Sequence, residues 1–348
     1  MGSDTAKLTW LKELYPGYFS LTMASGIIAV ALNMLEMPIL SDTFYAITLI
    51  SWLAVLGLYT WRLAFSPKTV WSELTNPSTT FIFFTFVVAT DVVGILFYLH
   101  GLNLLALSCW ILAFISWASL LHVSFSILTI HRAERNVNVV HGGWLLCIVG
   151  TQSLVLLGVI VVDQVGSYAE YMMMGLYMLW GIGLILYGIF VTLFCYRIFF
   201  LEMNDEDYTP LMWVIMGAAA ISANAGSSLA ISDPILPLLA SLHPIIDAVS
   251  LLCWTWATWW IPLLVVIGYW KHFIRHIPLR YNPMQWNIVF PLGMYSVASF
   301  RLTLAAEFEP MYWVSYASMW AALIVWATVM ISLLRYLMHF QEAEKIQF

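Results

Sequence analysis

The chain has 348 residues, of which 62% are hydrophobic and 9% are charged, and its formal net charge is −6 at pH 7. Soluble proteins carry about 25% charged residues, so this composition excludes a soluble globular fold and indicates a surface that faces lipid. The Lys and Arg residues form no nucleic-acid-binding motif, and we expect no nucleic-acid partner.

Apolar stretches of about 20 residues, the length that crosses a bilayer, follow one another along the chain. The first begins after the polar segment that ends at Tyr15. It is longer than the apolar core of a secretory signal, so we expect it to be retained. The predicted spans are residues 16–35, 43–65, 79–100, 104–130, 143–163, 171–200, 210–231, 244–270, 284–305 and 310–340. The sequence therefore predicts an all-α integral membrane protein of ten transmembrane helices, with residues 1–348 forming a single transmembrane domain.

The distribution of Lys and Arg predicts the orientation of these spans, because cytoplasmic loops are enriched in both residues. With the N-terminus in the cytoplasm, all basic residues except Arg301 fall on the cytoplasmic side. They are Lys7, Lys12, Arg62, Lys68, Arg132, Arg135, Arg197, Lys271, Arg275, Arg280, Arg335 and Lys345. We therefore expect a multi-pass protein of the cell membrane, inner or plasma, with both termini in the cytoplasm.

The spacing of the cytoplasmic loops predicts an internal repeat. These loops end near Pro16, Pro77, Gly142, Pro210 and Pro283, at intervals of about 61–73 residues, as a repeated supersecondary unit requires. The pattern predicts five helical hairpins, each with one odd-numbered and one even-numbered helix.

Small and hydroxyl residues are concentrated in the odd-numbered spans, whereas the even-numbered spans are bulkier. The extreme case is residues 217–228, with the sequence GAAAISANAGSS. Small residues in a membrane allow close helix packing, or they line a narrow polar path. We expect the five odd-numbered helices to form an inner ring around a central pore.

Two segments carry a resemblance to a known family. Residues 16–19 (PGYF) with 23–26 (MASG) in the first span, and 289–294 (VFPLGM) in the ninth, resemble the tellurite-resistance/dicarboxylate transporter family. That family includes plant slow-type anion channels, malate permeases and sulfite exporters, and the resemblance covers nearly the whole chain. It implies five inner helices around a central pore in the lipid bilayer, a homotrimer, and small inorganic or organic anions as substrates.

The resemblance also implies a pore gate. A phenylalanine of the ninth span closes the pore in that family, and the matching residue is Phe290. An aromatic ring across a narrow pore excludes water, and a dewetted constriction does not conduct. Pro291 removes one helical hydrogen bond, and a kink there would direct Phe290 toward the axis. The alternative is an ordinary packing phenylalanine.

Arg301 follows Phe290 by eleven residues, which places both side chains on nearly the same face of a helix. Met294 and Val297 lie near that face, and Gly293 belongs to the same span. We predict that these residues line the pore and that Arg301 attracts anions to its outer mouth. Alternatively, Arg301 reaches the interface or pairs with a glutamate of the following loop.

Asp91 lies near the middle of the third span, where a carboxyl group is costly and usually functional. When ionised, Asp91 is negatively charged and would repel anions from a nearby path. Two roles stay open: a hydrogen bond to a neighbouring helix, or the binding of a coupling proton.

Two transport functions compete. The first is gated conduction of small anions, and the second is proton-coupled transport of a C4-dicarboxylate or a sulfite-type anion with Asp91 as the proton carrier. The chain contains no HExxH, GxSxG or P-loop motif, so we do not expect an enzyme. The four cysteines, Cys109, Cys147, Cys195 and Cys253, lack metal or redox spacing, so we expect no metal, cofactor or disulfide.

Overall fold

The computed structural model describes residues 9–130, 137–232 and 236–345, and this part of the chain contains helices and no strand. The ten longest helices are numbered here in chain order. They are α1 Phe19–Met34, α2 Pro38–Phe65, α3 Phe84–Leu99, α4 Asn103–Ile130, α5 Leu146–Val161, α6 Ala169–Phe200, α7 Val214–Ile231, α8 His243–Tyr269, α9 Trp286–Ala306 and α10 Pro310–Lys345. Lys7, Arg132 and Arg135, three of the predicted cytoplasmic basic residues, lie outside the described residues.

Helix boundaries follow local chemistry. Pro38 and Pro310 begin α2 and α10, where proline is favoured because the first helical residues need no N–H partner. Short 3₁₀ turns precede α3, α5, α7 and α9. Asn282 caps the turn before α9 with a reciprocal capping box. Gly166, at φ 56°, separates α5 from α6.

Eight helical segments of the described chain are long and apolar enough to cross a membrane. One of them, Gly142–Phe200, contains both α5 and α6, and α1 is apolar but shorter, at 16 residues. The integral membrane helical class is confirmed. The prediction of ten spans is not confirmed, because length and composition identify eight such segments in the described chain.

Five helices pack in a closed circle. Helix α1 packs against α3, α3 against α5, α5 against α7, α7 against α9, and α9 against α1. We call these the inner helices, and we call α2, α4, α6, α8 and α10 the outer helices. Each inner helix packs against the outer helix that follows it. In the segments that contain α3 and α7, 72% and 89% of the most apolar stretch is buried inside the bundle. The corresponding share is 22% for α2 and α4 and 17% for α8 and α10. The outer helices therefore present the surface that suits lipid.

Glycines allow the inner helices to approach one another. Each of five glycines faces a side chain of a neighbouring inner helix, so closely that a Cβ there would lie within about 3 Å of it. They are Gly26 against Val92, Gly94 against Leu157, Gly150 against Phe84, Gly217 against Pro291 and Gly293 against Ile27. The small residues of the inner helices therefore serve packing at these five positions.

Tryptophans of the outer helices hydrogen-bond to the inner helices. Each outer helix donates an indole N–H to the inner helix of the next pair, and α10 donates to α1. The hydrogen bonds are Trp52 to Thr90 at 3.4 Å, Trp117 to Thr151 at 2.8 Å, Trp180 to the Ser222 carbonyl at 3.0 Å, Trp254 to Ser299 at 2.9 Å and Trp326 to Ser25 at 2.9 Å. Four of the inner-helix hydroxyl groups therefore face outward, away from the ring axis.

Two buried arginines, each near the end of an outer helix, donate hydrogen bonds to the segment just before the inner helix of the same hairpin. Arg62, near the end of α2, donates to the Lys12 carbonyl at 2.7 Å and to both carboxylate oxygens of Glu73 at 2.6 and 2.8 Å. Arg197, near the end of α6, donates to the Val140 carbonyl at 2.6 Å and to an aspartate of the following loop. Cations at helix C-termini also interact favourably with the helix dipole.

These arginines lie where the inner helices begin. The turns before α3, α5, α7 and α9 touch their neighbours at this end of the bundle. We call it the basic end, defined by Arg62, Arg197, Lys271, Arg275 and Arg280. Arg301, near the last residues of α9, lies toward the opposite end.

Candidate functional site

A narrow cavity of about 60 Å³ lies on the axis of the ring, because all five inner helices line it. Its walls are mostly aliphatic. The lining residues are Ile27, Val30, Asn33 and Met34 of α1, Val92, Ile95 and Leu99 of α3, Ser153, Leu156 and Ile160 of α5, Ile221 and Asn224 of α7, and Met294, Val297 and Arg301 of α9. We call it the axial cavity.

A wider pocket of about 400 Å³ adjoins the axial cavity on the side away from the basic end. Leu156, Ile160 and Arg301 line both spaces. Tyr98, at the end of α3, and Asp163, after α5, belong to the wider pocket alone. Arg301 therefore stands where this wider pocket, which we call the vestibule, narrows into the axis of the ring.

The electrostatics of the axial cavity favour anions. Among the described residues that line it, Arg301 is the only charged one. Its Nε is buried and has no hydrogen-bond partner in the described chain. No ion pair joins Arg301 to Glu307 or Glu309 in the described structure. Asp163 also lines the vestibule, but no ion pair joins it to Arg301 in the described structure, and a cation at a narrow opening raises the anion concentration there.

Asn224 is a lining residue that the sequence analysis did not single out. Its Nδ2 lies 3.4 Å from the Met294 sulfur, a weak acceptor. Its Oδ1 is buried without a partner among the described residues. A buried polar group that is only weakly satisfied is costly and is available to a ligand. In the sequence, Asn224 lies within a run of small residues, a pattern that is also typical of a packing surface.

The predicted face of α9 is divided between the cavity and the neighbouring helices. Met294, Val297 and Arg301 line the axial cavity. Pro291 packs against Gly217 of α7 and Gly293 faces Ile27 of α1, so neither belongs to the lining. Helix α9 is continuous from Trp286 to Ala306, and Pro291 does not interrupt it.

Phe290 lies one helical turn before Met294, toward the basic end, and is 1% exposed. It is not among the residues that line the axial cavity. Its place on α9 puts it on the side of that cavity that faces the basic end, on the same helical stripe as Met294, Val297 and Arg301.

Asp91 is fully buried on α3 and lies behind the cavity wall rather than in it. The Ser153 hydroxyl lies 2.6 Å from Asp91 Oδ2 and 2.9 Å from the Gly150 carbonyl oxygen. Asp91 Oδ1 has no hydrogen-bond partner in the described chain. Because a serine carries one hydroxyl proton, it cannot donate to both acceptors at once. Ser153 itself lines the axial cavity, so it connects the buried acid to the axis.

Sequence comparisons bear directly on this ring and its axial cavity. The model of a family described as voltage-dependent anion channel matches residues 13–334. The chain belongs to the voltage-dependent anion channel family. Two proteins of Methanocaldococcus jannaschii, each named an uncharacterized transporter, are 21% identical over 334 and 337 residues, or 93% and 94% of this chain and 94% of each relative. A Mycobacterium tuberculosis (strain H37Rv) protein, named an uncharacterized membrane protein, is 35% identical over 141 residues, 40% of this chain and 71% of the relative.

Membership of the voltage-dependent anion channel family confirms the family predicted from the first and ninth spans. It makes the protein a membrane anion transporter or channel and points away from an enzyme. No cluster of three or more His, Cys, Asp or Glu side chains suited to a metal occurs in the part of the chain that the structure describes. The four cysteines are free.

Proposed function

We propose that this protein is a gated channel for small anions, with the pore along the axis of the five inner helices. The observation that carries the proposal is the axial cavity: every inner helix lines it, and its charged lining residue is the cation Arg301. The vestibule collects anions, Arg301 attracts them to the narrow opening, and the aliphatic wall limits hydration beyond it. Pro291 and Gly293 contribute by holding α9 against α7 and α1.

The membrane arrangement is part of the same proposal. We infer ten spans in one transmembrane domain, with both termini and the basic end in the cytoplasm and Arg301 toward the outside. The positive-inside pattern supports this orientation. An inner helix of 16 residues is about 24 Å long, and the turns before the inner helices lengthen the structured path toward the bilayer thickness of about 30 Å. Assembly as a homotrimer belongs to this proposal and rests on the family resemblance.

Phe290 is the proposed gate. It is buried, it precedes Met294 by one turn, and it shares a helical stripe with the lining residues Val297 and Arg301. A phenyl ring at the inner end of an aliphatic passage would keep that passage dry, and a dry constriction blocks ions. The contact of Pro291 with Gly217 would hold the backbone of the gate residue in place.

The test compares anion flux through wild type and Phe290→Ala in liposomes, with chloride, nitrate or malate gradients and no pH difference. We expect a large rise in flux for Phe290→Ala because the ring no longer blocks the axis. Phe300→Ala is the matched control: it removes the same atoms from the same helix, but Phe300 packs against Tyr312 on α10. Equal flux in all three proteins would refute the gate.

A second function, proton-coupled anion transport, is supported by the hydrogen bonds around Asp91. When Asp91 is protonated, it donates to Ser153 Oγ and Ser153 donates to the Gly150 carbonyl, so both short contacts become hydrogen bonds. When Asp91 is ionised, one of the two contacts joins two acceptors without a proton. The described geometry therefore suits a carboxyl group that holds a proton next to the anion path.

This second function predicts that an anion gradient drives proton movement, which a pH-sensitive dye inside the liposomes would report. Asp91→Asn keeps the shape and a donor to Ser153 but cannot release a proton, so we expect anion flux without proton flux. Asp42→Asn is the control, since Asp42 is exposed and lines neither the axial cavity nor the vestibule. If wild type moves anions with no dye response, the protein is an uncoupled channel and Asp91 is a helix-bonding residue.

A further inference from the structure

A pocket of about 490 Å³ lies at the basic end, outside the ring of inner helices. The end of α8 and the loop that follows it form one side. The turn before α7 and the start of α9 form the other. It is far larger than the axial cavity, and neither proposed transport function uses it.

The polar part of this pocket is cationic. Lys271 and Arg280 line it, and no Asp or Glu is among its described lining residues. Lys271 Nζ donates to the Tyr208 carbonyl at 2.6 Å, which occupies one of its three N–H groups. The nearby acid Asp205 is paired with Arg275 at 2.8 Å, and neither of these two residues lines the pocket. Two cations therefore face a space that contains no neutralising carboxylate.

The other part of the pocket is apolar and opens toward the lipid-facing side of the bundle. Leu264 and Val265 line it about two turns before Lys271 on α8. Val265 is 55% exposed, and Phe273 and Leu279, which also line the pocket, are 66% and 73% exposed. Val265 lies on the outer helix α8, so its exposed side chain faces the bilayer, while Phe273 and Leu279 lie in the segment that follows α8. The pocket therefore changes from cationic to apolar along the direction of the helix axis.

We propose that this pocket binds an anionic phospholipid from the leaflet at the basic end. The lipid phosphate lies between Lys271 and Arg280, and an acyl chain follows α8 past Leu264 and Val265. Cationic pockets between membrane helices bind anionic headgroups in this way. A soluble anion would use the cations but would leave the exposed apolar wall uncovered, which is why the assignment is to a lipid.

The position of the pocket links the lipid to the pore. Gln285, in the turn before α9, and Ile288, near the start of α9, line the pocket, and Ile288 precedes Phe290 by two residues. A bound lipid would support the helix that carries the proposed gate. This link rests on the proposed function, whereas lipid binding does not, so the test measures binding without ion flux.

The test is to reconstitute the full chain with equal amounts of phosphatidylglycerol and phosphatidylcholine, extract it in mild detergent, and measure retained lipid by native mass spectrometry. We expect wild type to retain phosphatidylglycerol in preference to phosphatidylcholine. Arg280→Gln removes a cation and should lower that retention several-fold. Lys68→Gln is the control, because Lys68 is an exposed lysine that does not line the pocket.

Gly268→Leu is a second, independent variant. Gly268 lines the pocket and a Cβ there meets no atom within 4 Å, so leucine fills the space, keeps both cations and improves helix propensity. We expect it to lose phosphatidylglycerol as Arg280→Gln does. Gly188→Leu, on the exposed face of α6 and equally free of contacts, should not.

Four results would overturn the proposal. The first is equal retention of both lipids by wild type, and the second is unchanged phosphatidylglycerol in both pocket variants. The third is complete displacement of phosphatidylglycerol by inorganic phosphate, which would identify a soluble-anion site. If Gly268→Leu instead changes the mass of the assembly and leaves lipid retention intact, a second copy of the chain covers the pocket and the lipid assignment is wrong.

Discussion

Gly142→Ala tests whether the turn before α5 meets the turn before α7 as tightly as the structure shows. A Cβ on Gly142 would lie 2.0 Å from the carbonyl oxygen of Leu211 and 2.5 Å from the carbonyl carbon of the same residue. Ordinary contact begins at 3.4 Å, so one backbone must move by about 1.4 Å. Overpacking of this kind costs about 1–3 kcal/mol, and no change of side-chain rotamer relieves a backbone clash. Alanine is favoured over glycine in a helix by about 0.5–1 kcal/mol, so we expect a net loss of up to about 2.5 kcal/mol.

Gly57→Ala is the matched substitution. Gly57 lies within α2, and a Cβ there meets nothing within 4 Å. The same chemical change should therefore stabilise the protein by about 0.5–1 kcal/mol. Thermal unfolding in detergent, followed by the fluorescence of the 18 tryptophans, compares the two variants. We expect Gly142→Ala to unfold below wild type and Gly57→Ala at or above it. If both variants unfold at the same temperature, the close approach of the two turns is incorrect.

Three further predictions concern polar contacts. Arg62→Met should lower the free energy of unfolding by about 3 kcal/mol, because Arg62 is fully buried in an ion pair. Arg275→Met is the control, and it should change the unfolding temperature little because its ion pair is exposed. Trp326→Phe should cost about 1 kcal/mol by removing a hydrogen bond from α10 to α1, and Trp313→Phe, at a 70% exposed residue, should be neutral. Burial lowers the pKa of His141 below its ordinary 6.5. The stabilising contribution of neutral His141 is therefore complete above pH 6.5, and it is lost as the pH falls from 6.5 through the pKa of His141 in the folded protein. In His141→Asn, this contribution to the pH dependence of the unfolding temperature should be absent.

Hydropathy and charge predicted the membrane class and the basic end because the bilayer imposes both helix length and loop charge on a sequence. The same patterns could not identify the partners of buried polar groups. Arg62 and Arg197 counted in the sequence only as cytoplasmic charges, yet each donates to a backbone carbonyl more than 45 residues away. Which carbonyl lies within reach depends on tertiary packing. Asn224 was missed for the same reason, since only the assembled ring shows that it faces the axis.

The small residues of the inner helices show most clearly what sequence left open. Their enrichment was compatible with close packing or with a polar lining. The structure uses Gly26, Gly217 and Gly293 for contacts between neighbouring inner helices, while isoleucine, leucine, valine and methionine form most of the cavity wall. Close approach of the helices is what makes the axial cavity narrow. The bulky side chains make it apolar, so a few polar groups, Asn224 and Arg301 among them, are the ones that an anion would meet.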